Sequence, residues 1–276
     1  GFGKDLVDTE LLKRVEILKG PSSALYGSDG LAGTVFYSTK DASDLASIGD
    51  SYLSTRLSYG DVNNMRAISA LGAVVGENSE ALIQLTSRTM EEMSVHTDTT
   101  ELPNPMDGDN VSALAKFKYF VSDNSDLSLT LDFQEMDADY NLLTDVGFNG
   151  RAMESITTST GKDKTTRERF TLAYNFVEET KVYDNGSIKL YSQDTDQKQT
   201  TSRSKSAFLA GMQAAPTPMT DYRDYNFNQS LIGYSLSLTK VIDGPLGEHS
   251  IAYGGDYEVA EYSRPKNRFT TNLITN

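Results

Sequence analysis

Histidine occurs only twice in the 276 residues, at His96 and His249, and cysteine not at all. Thiolate nucleophiles, disulfides and Cys-ligated metals are therefore closed to this chain. The two imidazoles lie far apart, so no clustered-His metal centre is set up, and a Ser-His-Asp triad is not expected unless one of the two serves. Asp107-Gly-Asp109 is the kind of carboxylate cluster that suits a hard cation such as Ca²⁺, although a solvated turn has the same composition. The 39 acidic against 25 basic side chains give a net charge of −14, and the Lys and Arg residues are scattered. Nucleic acid is not an expected partner, because binding it relies on basic side chains neutralising phosphates.

The elements that would carry any site announce themselves by period-two alternation from about residue 50 onward. Leu127, Leu129, Leu131 and Phe133 alternate with Ser128, Thr130 and Asp132. Phe170 to Phe176 and Ile232 to Leu238 follow the same rule, and Leu53–Tyr59, Phe117–Val121 and Ile188–Leu190 are shorter instances. The fold class is all-β and antiparallel.

The connections between these segments are of two kinds that take turns. Gly76-Glu-Asn-Ser79, Ser122-Asp-Asn-Ser125 and Asp184-Asn-Gly186 have hairpin chemistry, since Asn, Asp and Gly tolerate positive φ. The long polar stretches 91–110, 137–165 and 200–223 exceed hairpin length and are expected to be loops. Short turns at one end and long loops at the other suit an outer-membrane barrel. A soluble β-sandwich gives equal alternation. Tyr52, Tyr59, Tyr119, Phe120, Phe133, Tyr253 and Tyr257 near segment ends favour the barrel, as interfacial aromatic girdles; the absence of Trp weighs slightly the other way. No apolar run of about 18 residues is long enough for a helical span.

The first fifty residues read differently. Glu10 to Lys19 mixes apolar and charged residues and stops at Gly20-Pro21, a Gly-rich stretch follows, Thr34–Thr39 reads as a short strand, and 41–44 as a linker. The run Arg14-Val-Glu-Ile-Leu-Lys-Gly-Pro-Ser-Ser-Ala-Leu-Tyr-Gly-Ser-Asp-Gly-Leu-Ala-Gly33 resembles the end of the plug domain of TonB-dependent outer-membrane receptors. Ala32 departs from the Gly that is common there. The resemblance implies a plug end and linker over 1–45, followed over 46–276 by the N-terminal strands of an incomplete antiparallel transmembrane β-barrel. A plug inside a water-filled lumen needs tight turns near the wall. Arg14, Glu16, Lys19, Gly20, Pro21, Tyr26, Gly27, Gly30 and Gly33 are therefore the expected plug-motif and plug–barrel contact residues. Arg56, Lys116 and Lys118 are expected to face the lumen, lining a passage or packing on the plug.

Three segments, 38–45, 111–118 and 249–256, are further similar to the haem and haemoglobin receptor group. That resemblance implies uptake of an iron compound, haem, driven by the TonB complex in a Gram-negative outer membrane, with neither catalysis nor a resident cofactor. The alternatives are a siderophore or cobalamin receptor, or a secreted β-rich adhesin. Expected partners are the transported chelate, outer-membrane lipid, and TonB through a segment outside this sequence. Haem receptors of this group are expected to hold iron through histidines on the plug apex and a distal outer loop, neither of which can be placed here. His96 is the loop histidine available as a ligand, its plain reading being a solvated loop residue; His249 is expected at the periplasmic rim. About nine alternating segments against the roughly 22 strands expected of the family imply a fragment, without signal peptide, TonB box or the later strands.

Overall fold

The computed structural model describes residues 7–20, 33–94, 103–150, 153–207, 216–244 and 247–273. Strands β1 (Leu12–Lys19) and β2 (Gly33–Thr39) pair antiparallel as a separate two-stranded sheet. All other strands form one antiparallel sheet: β3 (Ser51–Gly60), β4 (Met65–Val75), β5 (Ser79–Glu91), β6 (Met106–Ser122), β7 (Ser125–Asn141), β8 (Gly147–Asn149), β9 (Glu154–Val177), β10 (Asn185–Ala207), β11 (Thr217–Gly244), β12 (Gly247–Ser263) and β13 (Lys266–Asn272). Nine of them pair in series as β3-β4-β5-β6-β7-β9-β10-β11-β12. Small β8 sits on β9, and β13 continues the line of β12 along β11.

The two faces of this sheet invert the usual arrangement. One carries large apolar side chains open to the surroundings: Ile83, Val111, Leu131, Phe170, Leu190 and Ile232 are all exposed, and Leu53 reaches 82%. The other carries buried polar residues, among them Ser69, Gln84, Thr86, Asn110, Ser112 and Gln134. A sandwich would bury its apolar face against a second sheet; the described residues form no such sheet. An apolar surface running across nine strands is far larger than water tolerates on a soluble protein and fits contact with hydrocarbon.

Turn chemistry keeps one end short. Gly76 donates its N–H to the Ser79 carbonyl at 2.8 Å, and at Asp123-Asn124 the Ser122 and Ser125 hydroxyls bond at 2.8 Å. At the other end the strands outrun the expected loops. β7 extends to Asn141, β9 starts at Glu154, β10 runs to Ala207 and β11 starts at Thr217. With 24, 23 and 28 residues, β9, β10 and β11 far exceed the 9–11 or so that cross a bilayer. Beyond the apolar band both faces meet water and both become polar, so the alternation fades while the backbone ladder continues.

The aromatic residues divide by face. Tyr59, Tyr119, Tyr253 and Tyr257 are exposed on the apolar side. Tyr52, paired with Ala73, points with buried Ala73 to the polar side, and so does Phe120, which lines a cavity of about 550 Å³ with Asp126 and Asn175. These two do not belong to an outer girdle, because their strand parity places them inward.

Candidate functional site

The segment before β1 and the one after β2 come together on the polar face of β3–β7. Asp8 caps a 3-10 turn, Thr9–Leu11, by accepting the Glu10 N–H. A second 3-10 turn, Ala42–Asp44, follows β2, with Asp41 and Asp44 forming a reciprocal capping box. Between them the turns insert Leu11 and Ala42 into an apolar island on the wall made of Ala73, Val75, Leu82 and Leu114. Burying a leucine this fully contributes about 2 kcal/mol.

Polar contacts surround that island, and their charges are complementary. The buried Asp8 carboxylate accepts from Ser112 Oγ at 2.5 Å and from Arg88 Nη2 at 3.1 Å. Its backbone N–H donates to Gln134 Oε1 at 3.1 Å. One residue is thus held by β5, β6 and β7 together. Burial by itself would raise the Asp8 carboxyl; the Ser112 hydroxyl, the Glu10 amide and the Arg88 guanidinium outweigh it and hold the group below its ordinary value. The Glu10 carbonyl accepts from Gln84 Nε2 at 2.8 Å and Lys40 Nζ at 2.6 Å, while its carboxylate meets Arg56 at 3.1 Å. Asp41 pairs with Lys116, Lys13 with Asp44, and Lys118 with Glu80 at 2.8 Å. The Ser43 N–H adds a bond to Glu80 at 3.1 Å.

Acids on the seated segment therefore meet bases on the wall: Asp8 with Arg88, Glu10 with Arg56 and Asp41 with Lys116. The buried Asp8 site contributes most, since the Arg56 pair is two-thirds exposed on the arginine side and such pairs are worth little. Among the described residues no group of three His, Cys, Asp or Glu is placed to hold a metal ion.

The sequence-derived residues fall as follows. Arg14 and Glu16 pair with each other at 2.5 Å along exposed β1, and Lys19 stands exposed at its end; contacts with the described wall come instead from Asp8, Glu10, Asp41 and Ser43. Gly20 has φ +103° and Gly33 φ +144°, and a Cβ at Gly33 would stand 2.5 Å from the Leu18 carbonyl oxygen. Both positions need glycine. Pro21, Tyr26, Gly27, Gly30 and His96 lie outside the described residues. Arg56, Lys116 and Lys118 all point to the polar face and are engaged in the ion pairs above. His249 lies beside the short β11–β12 link, opposite Ile242. Asp8 was missed by sequence reasoning; its signal was the capping pattern Asp8-Thr-Glu10.

Comparison with known proteins places this geometry. Residues 2–34 match the family model described as TonB-dependent Receptor Plug Domain. Over this segment the chain is similar to the plug of TonB-dependent receptors. It is 26% identical over 206 residues to Hemoglobin-binding protein A of Haemophilus influenzae, covering 67% of this chain and 20% of that protein. Over 39 residues it is 56% identical to the Hemin receptor of Yersinia enterocolitica, 14% of this chain and 6% of the relative. The fold is shared with a solved double mutant of the Serratia marcescens hemophore receptor HasR in complex with its hemophore HasA and heme: TM-score 0.55 and 15% identity, over 96% of this chain and 49% of that one. The receptor-like chain thus spans about half the solved receptor and a smaller share of the curated relatives. The plug match takes in Asp8 and Glu10 of the seated segment, and the fold shared with the solved receptor, together with an open apolar face on the large sheet, indicates an outer-membrane protein.

Proposed function

We propose that the whole protein takes up an iron compound, haem, across the outer membrane of a Gram-negative cell by TonB-coupled transport, with residues 1–45 as plug end and linker and 46–276 as barrel strands. The observation that carries this reading is the seating of the plug end, through Asp8, on the lumen side of a sheet whose opposite face is apolar and open. The haem and haemoglobin binding named for the relatives supports the choice of ligand. In this reading the ligand docks on outer loops, energy from the inner membrane loosens the plug, and no covalent bond in the ligand changes. Arg14, Glu16 and Lys19, exposed on β1, face a part of the lumen wall other than β3–β7.

Growth of a haem-requiring strain tests it. Supplied with haem as sole porphyrin and iron source, cells carrying the full-length gene grow, and deletion of the gene or of TonB stops growth. Rescue by ferric siderophore or cobalamin uptake alone, with none by haem, overturns the ligand assignment; growth independent of TonB overturns the transport mechanism.

A further inference from the structure

β12 and β13 share one register along β11: Asn228 pairs with Ser263 and Tyr225 with Lys266. They form a single line interrupted at Arg264-Pro265, where Pro265 has no N–H to give the ladder but its carbonyl still accepts from Asn226 at 3.0 Å. Along this line Tyr262, Arg264, Lys266 and Arg268 share the lumen-side face. The cross-strand row from Gln134 through Arg167, Thr195 and Gln229 to Tyr262 fixes that side.

The cations on this face differ in how they are used. Arg223 and Arg268 are bound by Asp221, Arg203 by Asp145, Lys205 by Glu154 and Arg167 by Asp132. Arg264 and Lys266 have no carboxylate partner among the described residues. They lie over aromatic rings instead, Arg264 at 5.0 Å from the Phe227 centroid and Lys266 at 6.0 Å from that of Tyr225. Beside them the Tyr262 ring, 61% exposed, tilts over Phe227 at 6.3 Å. Arg169 and Lys189 on the same face also lack a carboxylate partner among the described residues; what sets Arg264 and Lys266 apart is that both lie over rings, side by side on one strand line.

We infer that Tyr262, Arg264 and Lys266 form a docking shelf for a flat conjugated molecule carrying two carboxylates on one edge. The exposed ring supplies a stacking surface. The two cations, two residues apart on one strand face, stand roughly 7 Å from each other at their backbones, a spacing that two short carboxylate arms can reach. This rests on the haem reading above and adds to it the part of the wall that takes the acidic edge of the porphyrin.

The test uses the purified full-length protein in detergent, with haem, iron-free protoporphyrin IX and protoporphyrin dimethyl ester as probes. In the double variant Arg264→Gln/Lys266→Gln, affinity for haem and protoporphyrin is expected to fall about tenfold while that for the dimethyl ester stays unchanged. Tyr262→Ala is expected to weaken all three. Strand circular dichroism and the urea midpoint of each variant, expected to match the parent, check the fold. Equal losses for free acid and ester, or none for either, overturn the shelf while leaving the haem reading intact. A parent protein that binds no haem overturns the haem reading itself.

Discussion

Replacing Asp221 by Asn removes the charge that ties the outer end of β11 to β13. Asp221 Oδ1 accepts from Arg268 Nε at 2.7 Å and Thr270 Oγ1 at 3.2 Å; Oδ2 accepts from Arg223 Nη2 at 2.9 Å and Arg268 Nη2 at 3.1 Å. The site lies eleven residues beyond Ile232, well outside the apolar band. Burial would raise this carboxyl, but the two arginines lower it from 3.8 to about 2. That difference corresponds to about 2.5 kcal/mol at neutral pH, roughly 60-fold in a local equilibrium. A depressed carboxylate stabilises fully above its unfolded value and loses that contribution as pH falls through the folded one. The benefit is therefore complete above about pH 5 and down to about 0.4 kcal/mol at pH 2. Amide exchange of 217–225 and 266–272 in the full-length protein reads the local opening directly. Asp221→Asn should lower protection there roughly 60-fold at pH 7 and only about twofold at pH 2, with β4 and β5 unaffected. A variant-to-parent ratio near one at pH 7, or the same ratio at both pH values, refutes the reasoning.

Three further outcomes follow from the same coordinates. Asp8→Ala strands Arg88 in a partly buried site and should loosen the plug end by about 3 kcal/mol; a thiol placed at buried Ala42, in a chain without native cysteine, should then react with a labelling reagent faster than in the parent. Gly233→Ala puts a Cβ 2.6 Å from the Tyr191 ring and 2.8 Å from the Tyr257 carbonyl oxygen, destabilising by about 1–3 kcal/mol. The urea midpoint followed by tyrosine emission measures this, and adding Tyr191→Ala should restore only part because the carbonyl remains. Leu131→Arg, on the apolar face, should cost about 2–4 kcal/mol in folding into lipid vesicles, whereas Thr130→Arg on the lumen side should cost much less; equal costs would disprove the assignment of faces.

The strands were legible because period-two alternation is a local property: Leu127–Phe133 and Phe170–Phe176 stand in β7 and β9 as their spacing requires. The glycines at 20 and 33 were legible for a similar reason, since each answers to its own backbone angle. The outer halves of β9, β10 and β11 were not. There both faces are solvated, Thr, Ser, Gln and Lys serve on either side, and only hydrogen bonding to neighbouring strands distinguishes ribbon from loop. The contacts with the described wall were not legible for a different reason. Arg14, Glu16 and Lys19 carry the motif, but the residues that grip the described wall are their quieter neighbours Asp8, Glu10 and Asp41, whose partners are distant in the chain.

By itself, then, the order of residues determined a two-faced antiparallel sheet, its short-turn end, and a plug-like segment ahead of it, because alternation, turn propensity and the glycine-rich run act over a few residues. Which face is covered, and by what, was decided only in three dimensions. Alternation is the same whether the apolar side meets a core or hydrocarbon. The choice became visible when Gln84, Ser112 and Gln134 were found buried while Ile83, Val111 and Leu131 were open. Asp8 meets Gln134 across 126 positions of chain, and no local pattern encodes a pairing over that distance; the register of five consecutive wall strands has to form before those two groups can come within bonding range.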